Sequence, residues 1–217
     1  MHPMATATTS LTERIIAAGP DIVTTAAFLT VWLSPLSLGS HAADDAMLIM
    51  IVEFILLHAS AMLGALNLSN LSRSIRVAMS SCLAGIYFVM IGGYAWTFQE
   101  WWPLLAFSWL LLGKLSLIFN HTGQKSEKSY ALAAGWIILS MFYLSGVTIT
   151  ALAPVPELGI TQASRPSLEL TGSGLWVDEP QRVVAFGVLY FGLSAWARWN
   201  AWFLRIGRFA SRLFEHR

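Results

Sequence analysis

Glu53 and His58 are the carboxylate and the histidine that the apolar segments of this chain set well inside the thickness of a bilayer. Both lie in residues 46–67, AMLIMIVEFILLHASAMLGALN. As a helix rising 1.5 Å per residue, that stretch is about 30 Å long, the depth of a hydrocarbon core. An ionisable side chain held at such depth costs several kcal/mol, so each is a candidate functional residue by default.

At 100° per residue, Leu57, Ser60, Gly64 and Asn67 follow Glu53 along one stripe of the helix, and all but Leu57 are small or polar. That stripe is expected to face the interior of a bundle or a partner subunit, since lipid leaves a carboxylate stranded. His58 comes five residues later, about 140° around the helix, and so shares no narrow face with Glu53. The two are not an i,i+4 proton pair, and each needs a partner from another segment.

Two readings of Glu53 stand side by side. It is a proton- or cation-binding carboxylate, or a buried acid that a Ser, Thr or Tyr fixes for packing. Tyr190, Ser145 and Thr148 are the polar residues at comparable depth on other segments. For His58 the readings are a proton relay, which its ordinary titration range suits, a single axial ligand to haem, or a hydrogen-bonded structural histidine. The chain has no second histidine at matching depth, which weighs against haem. Lys114, near the end of an apolar run, either snorkels to the surface or pairs with a buried acid. Asp178 and Glu179, with Asp44, Asp45 and His41, form either an acidic vestibule for a cation or a solvated face. There is no HExxH, Walker A, GxSxG or GxGxxG pattern, and thus no signature of hydrolase, ATPase or dinucleotide chemistry. No cofactor is assigned. An enzyme using Glu53 and His58 as acid and base on a lipid-like substrate ranks last.

The segments that must position these residues are membrane spans. Of 217 residues, 56% are hydrophobic and 12% charged, against about 25% charged in a soluble domain. Mean hydropathy is +0.61. Net charge is +1 and implies no nucleic-acid partner, and the single cysteine, Cys82, gives neither a disulfide framework nor a zinc pattern. No removable signal peptide is evident at residues 1–20.

Ser10 and Glu13 have capping-box spacing and open a short interfacial helix over residues 11–18, which Gly19-Pro20-Asp21 is expected to break. Six apolar runs follow, near residues 21–38, 46–67, 77–96, 101–119, 130–153 and 183–203. Gly64, Gly92 and Gly93, with Ser60, permit close helix contact, within the chain or between copies. The one long loop, residues 154–182, carries four prolines, and SLEL-TGSG-LWV within it reads as a small β-hairpin. Beyond the last run, Trp199, Trp202, Ile206, Phe209 and Leu213 make an apolar stripe, and Arg198, Arg205, Arg208 and Arg212 gather away from it. Such a basic amphipathic tail anchors to an anionic leaflet.

Lys and Arg alternate cleanly. Arg73 and Arg76, then Lys125 and Lys128, then the tail arginines lie on one side; the short connections on the other side have only acids. The expectation is therefore an all-α polytopic protein of six transmembrane helices, with both termini cytoplasmic and an extracytoplasmic hairpin. Its parts are an interfacial segment (1–20), a membrane domain (21–204) and a basic tail (205–217). Its partners are the lipid bilayer and further copies or subunits of a membrane complex, and its location is a cell membrane, the bacterial inner membrane in this reading. The leading function is a small proton- or cation-coupled transporter or channel subunit. The alternative is a non-catalytic accessory or scaffold subunit.

Overall fold

The computed structural model describes residues 10–69, 71–119, 127–170 and 172–203, with 205, 206 and 209 of the tail. The described residues form helices and turns, with no strand among them. In chain order the helices are α1 (Leu11–Leu33), α2 (Ala42–Leu68), α3 (Arg73–Phe98), α4 (Trp102–Phe119), α5 (Glu127–Leu152), the single turn α6 (Leu175–Asp178) and α7 (Pro180–Trp199). Among the described residues four stretches are long and apolar enough to cross a membrane: Leu11–Leu33, Ala42–Leu66, Arg73–Phe98 and Ala133–Leu152. The chain is thus an all-helical protein with the marks of a membrane protein.

α1 starts at the predicted capping box. The Ser10 hydroxyl accepts from the Glu13 amide at 3.2 Å, and the Glu13 carboxylate accepts from the Ser10 amide at 2.9 Å. The expected break at Gly19-Pro20 does not occur, and one helix runs through the proposed boundary at residue 20. Proline inside a helix forfeits a hydrogen bond and costs about 3 kcal/mol. Packing on α7 outweighs that cost here: Ala18 is fully buried on one side of Pro20, and on the other Asp21 is tied to Arg198. The Thr24 and Thr25 hydroxyls donate to the carbonyls of Pro20 and Asp21. The helix ends at Leu33, just before Ser34-Pro35, because the residue preceding proline is pushed out of helical conformation.

α2 is shared by two apolar cores. Met47 and Met50 pack with Phe28 and Val31 of α1, Tyr143 of α5 and Val183, Phe186, Tyr190 and Phe191 of α7. Ile55 and Ala59, on the other side of α2, pack with Tyr87 and Ile91 of α3 and Phe107 of α4. α1 and α7 run antiparallel along their length, with Thr25 beside Gly192 and Phe28 against Gly187. α7 is the most enclosed helix described, buried from Pro180 to Ala197 on most of its circumference.

The long loop is a cap, not a β-hairpin. Leu168 and Leu170, and then Trp176 and Val177, all turn down into the core of α1, α2, α5 and α7. Leu168 is completely buried. Pairing the two segments with each other would forgo that burial. A left-handed Glu169 (φ 46°) interrupts any extended run, and Leu175–Asp178 closes a helical turn instead. The cap is stitched to several helix ends. Gly159 donates to the Trp32 carbonyl at 2.9 Å, and the Trp32 indole donates to the Pro156 carbonyl at 2.9 Å. A Cβ on Gly159 would run into the Leu33 carbonyl, so only glycine lets the chain pass this close. Arg182 Nη1 donates to the carbonyls of Thr150, Ala151 and Ala153, which the end of α5 leaves without helical partners. Arg165 reaches Glu157, the Asp178 carbonyl and Gln181.

The expected continuous tail helix is also corrected. α7 stops at Trp199, and Ala201 takes a left-handed conformation (φ 52°) that turns the chain. Trp202 consequently packs on Trp196, with centroids 4.5 Å apart, rather than extending a straight stripe.

Candidate functional site

Glu53 of α2 and Tyr190 of α7 meet beside the larger core, whose Met50, Phe186 and Phe191 lie next to the pair along the same two helices. The Tyr190 hydroxyl donates to Glu53 Oε1 at 2.6 Å, a length typical of a charge-assisted O–H···O bond. The tyrosine is 1% exposed, and Glu53 is half-buried.

Tyr143 of α5 supplies the wall. Its hydroxyl donates to the Met50 carbonyl at 2.8 Å, one turn before Glu53. Its ring stands edge-on to Tyr190 at 5.4 Å and to Phe186 at 4.7 Å. Because its hydroxyl is spent on the backbone, it fixes the α2 register and leaves the donation to Glu53 to Tyr190.

Further along α7, Arg198 Nε donates to Asp21 Oδ2 of α1 at 2.6 Å. The guanidinium also lies over Phe203, 5.5 Å from the ring centroid. The ion pair thus lies two turns along α7 from the acid–tyrosine pair. No described Lys, Arg or His comes within ion-pair distance of Glu53. Ser194 lies between the two pairs on α7, 1% exposed.

His58 is placed elsewhere. Its ring is exposed on the outside of α2, stacked on Phe54 with centroids 6.1 Å apart, and its Nδ1 shares a hydrogen bond with Tyr87 of α3 at 3.0 Å. Glu53 and His58 thus serve opposite sides of α2, one against α7 and the other against α3. Ser60 is half-buried two turns after Glu53. Ser145 is exposed, and Thr148 donates to its own helix at Leu144, so neither joins the site. Around Gly64, Gly92 and Gly93 there is open space where a Cβ would point, so these glycines make no close helix contact within the chain. Arg198 is engaged with Asp21, while Arg205 is exposed. The side chain of Lys114, and residues Arg208 and Arg212, fall outside the described residues, as do His121 and Lys125.

On the capped side, His41 Nε2 meets Glu169 at 2.9 Å, Ser40 donates to the same carboxylate at 3.2 Å, and Glu179 pairs with Arg182 at 2.6 Å. The acids expected to form a vestibule are in part committed to holding the cap. Among the described residues no cluster of His, Cys, Asp and Glu is arranged to hold a metal ion.

Sequence reasoning places Asp21 at a helix start and passes over Tyr143 and Ser194. The missed signal is spacing: Tyr190, Ser194 and Arg198 recur at i, i+4 and i+8. Chemically, the site is a carboxylate with one hydroxyl donor and no direct countercharge among the described residues, an arrangement suited to taking up and releasing a proton. Comparison with family models, with curated proteins and with solved structures gives no match.

Proposed function

We propose that this chain is a six-span membrane protein that moves protons or a small cation, with Glu53 as the titrating group. The observation that carries the reading is the 2.6 Å bond from Tyr190 to a carboxylate midway along α2, with no cation in contact with it among the described residues. A carboxyl at that depth without a countercharge is neutralised by taking up a proton. Asp21 has a countercharge in Arg198. Glu53 has a tyrosine, whose hydroxyl can bond the carboxyl in either charge state. His58 supports α2 against α3 through Tyr87. In this reading α4 and α7 are the fifth and sixth spans, and the alternation of Lys and Arg supports cytoplasmic termini.

Proton flux into liposomes under an imposed potential tests the reading. Wild-type protein is expected to raise flux above that of empty vesicles, and Glu53→Gln to bring it back to the empty-vesicle level. Equal flux in both proteins, or none in either, removes the reading.

A second reading, an accessory or self-assembling subunit of a membrane complex, is favoured by the outer face of α2 and α3. There an apolar groove of about 430 Å³ is lined by residues including Met62, Leu66, Met79 and Cys82. With the open glycines of α3, it suits a neighbouring membrane helix.

A further inference from the structure

Tyr190, Ser194 and Arg198 occupy one stripe of α7, about 12 Å from first to last at 1.5 Å per residue. Each end of the stripe is bonded to an acid on another helix, Tyr190 to Glu53 of α2 and Arg198 to Asp21 of α1. Ser194 sits between them, and its Oγ has no hydrogen-bond partner although the residue is 1% exposed. Ser80 of α3 shares that state, but among the described residues it has no bonded acid pair on either side of it. Thr24, Thr25, Thr30, Thr97, Ser108, Thr148 and Thr150 all donate to the carbonyl four residues back, the ordinary solution for a helical hydroxyl. An unmet buried hydroxyl is costly, and this one lies one turn from each of two polar pairs, Tyr190–Glu53 and Arg198–Asp21.

We infer that Ser194 is the middle station of a proton relay joining Glu53 to the Asp21–Arg198 pair, which makes the transported species a proton rather than a metal cation. The inference rests on Glu53 being the proton site. Successive residues of the stripe are about 6 Å apart along the helix axis, farther than one hydrogen bond reaches, so the relay requires one water between Tyr190 and Ser194 and another between Ser194 and Asp21. Such a water finds the polar partners it needs in these same hydroxyls and carboxyls.

The transfer balances as a concerted shift. Tyr190 gives its hydroxyl proton to the Glu53 carboxylate as it takes one from the water on its Ser194 side. That water takes the Ser194 hydroxyl proton, and Ser194 is reprotonated through the second water by the Asp21 carboxyl, which has first taken its proton from the aqueous side. At the end both hydroxyls and both waters are neutral, Glu53 has gained one proton and Asp21 has lost one. Arg198 holds the Asp21 carboxylate so formed, and its fixed positive charge at the mouth opposes entry of Na⁺ or K⁺.

The experiment compares wild type, Ser194→Ala, Ser194→Thr and Glu53→Gln in proteoliposomes, reading proton entry by a trapped pH dye and Na⁺ entry by a trapped sodium dye. Each variant is first checked for a single symmetric peak on size exclusion. Ser194→Ala is expected to lower proton flux by roughly tenfold or more, the scale on which a missing proton-transfer group is felt. Ser194→Thr, which keeps the hydroxyl, should restore it to within about twofold, and no protein should admit Na⁺. Wild-type flux in Ser194→Ala beside an inactive Glu53→Gln overturns the relay and leaves the site standing. Equal loss in the alanine and threonine variants also overturns it, because packing rather than the hydroxyl is then at stake. Full flux in Glu53→Gln removes the relay and the site together, and Na⁺ entry through the wild type overturns the assignment of the proton.

Discussion

Phe28 of α1 lays its ring where Gly187 of α7 has no side chain, and a Cβ at that glycine would overlap the ring. Phe28 is 2% exposed and also packs on Phe191 at 5.6 Å. Gly187→Leu should therefore push α1 from α7 and cost about 1–3 kcal/mol, as overpacking does. Thermal unfolding in detergent would read the loss. Adding Phe28→Ala should recover part of it, since residues in contact are not additive; strictly additive losses would count against the contact.

The Asp21–Arg198 pair invites a double-variant cycle. Its side chains are 15% and 36% exposed, so it falls between a surface pair, worth under about 1 kcal/mol, and a buried one, where removing a single partner costs about 3–5 kcal/mol. Asp21→Asn and Arg198→Gln should each destabilise by about 1–3 kcal/mol, and the double variant by less than the sum. Unfolding midpoints of the four proteins give the coupling. A coupling near zero would mean that the two charges do not depend on each other.

Arg182 caps α5 from α7 and holds Glu179 at the same time. Arg182→Gln should free the cap, making residues 154–174 cleavable by limited proteolysis where wild type resists. Arg182→Lys should give intermediate protection, because an ammonium lacks the planar fork that serves several acceptors at once. Wild-type resistance in both variants would show that the cap is held by Trp32 and Arg165 alone.

His58 and Tyr87 join α2 to α3, His58 exposed and Tyr87 buried. Tyr87→Phe should cost about 1 kcal/mol, the net worth of one hydrogen bond, and leave Glu53-dependent flux within about twofold, a small change on the scale of a lost proton-transfer group. A collapse of flux in a stably folded Tyr87→Phe would bring His58 back into the proton path.

Topology is open to labelling. In a Cys82→Ser background, Ser173→Cys should react with an impermeant maleimide from outside the cell and Ser126→Cys only after the membrane is opened. The reverse pattern breaks the six-span arrangement.

How far these residues can be read in advance depends on the range of the interactions involved. The helices of residues 46–67 and 77–96 are plain in the sequence, because apolar run length is a local property, and α2 and α3 extend them by only a few residues at each end. The 140° between Glu53 and His58 is likewise fixed within one helix, and it correctly separates the two. What fails is wherever a distant segment decides. Gly19-Pro20 reads as a break, yet Ala18 is buried, Asp21 is held by Arg198 of α7, and the helix passes through. The strand-like alternation around Leu168 and Trp176 is spent on capping four helices rather than on pairing. The bond between Glu53 and Tyr190 spans 137 residues of sequence. Depth alone makes Tyr190 one candidate among three; only the rotation of α7 selects it.

α2 also has a mechanical consequence. The cap grips α1, α2, α5 and α7 through Trp32, His41, Arg182 and their partners, while α3 and α4 pack against each other and against α2. Among the described residues α2 is thus the beam common to both groups, with Glu53 bonded to Tyr190 on one side and His58 to Tyr87 on the other.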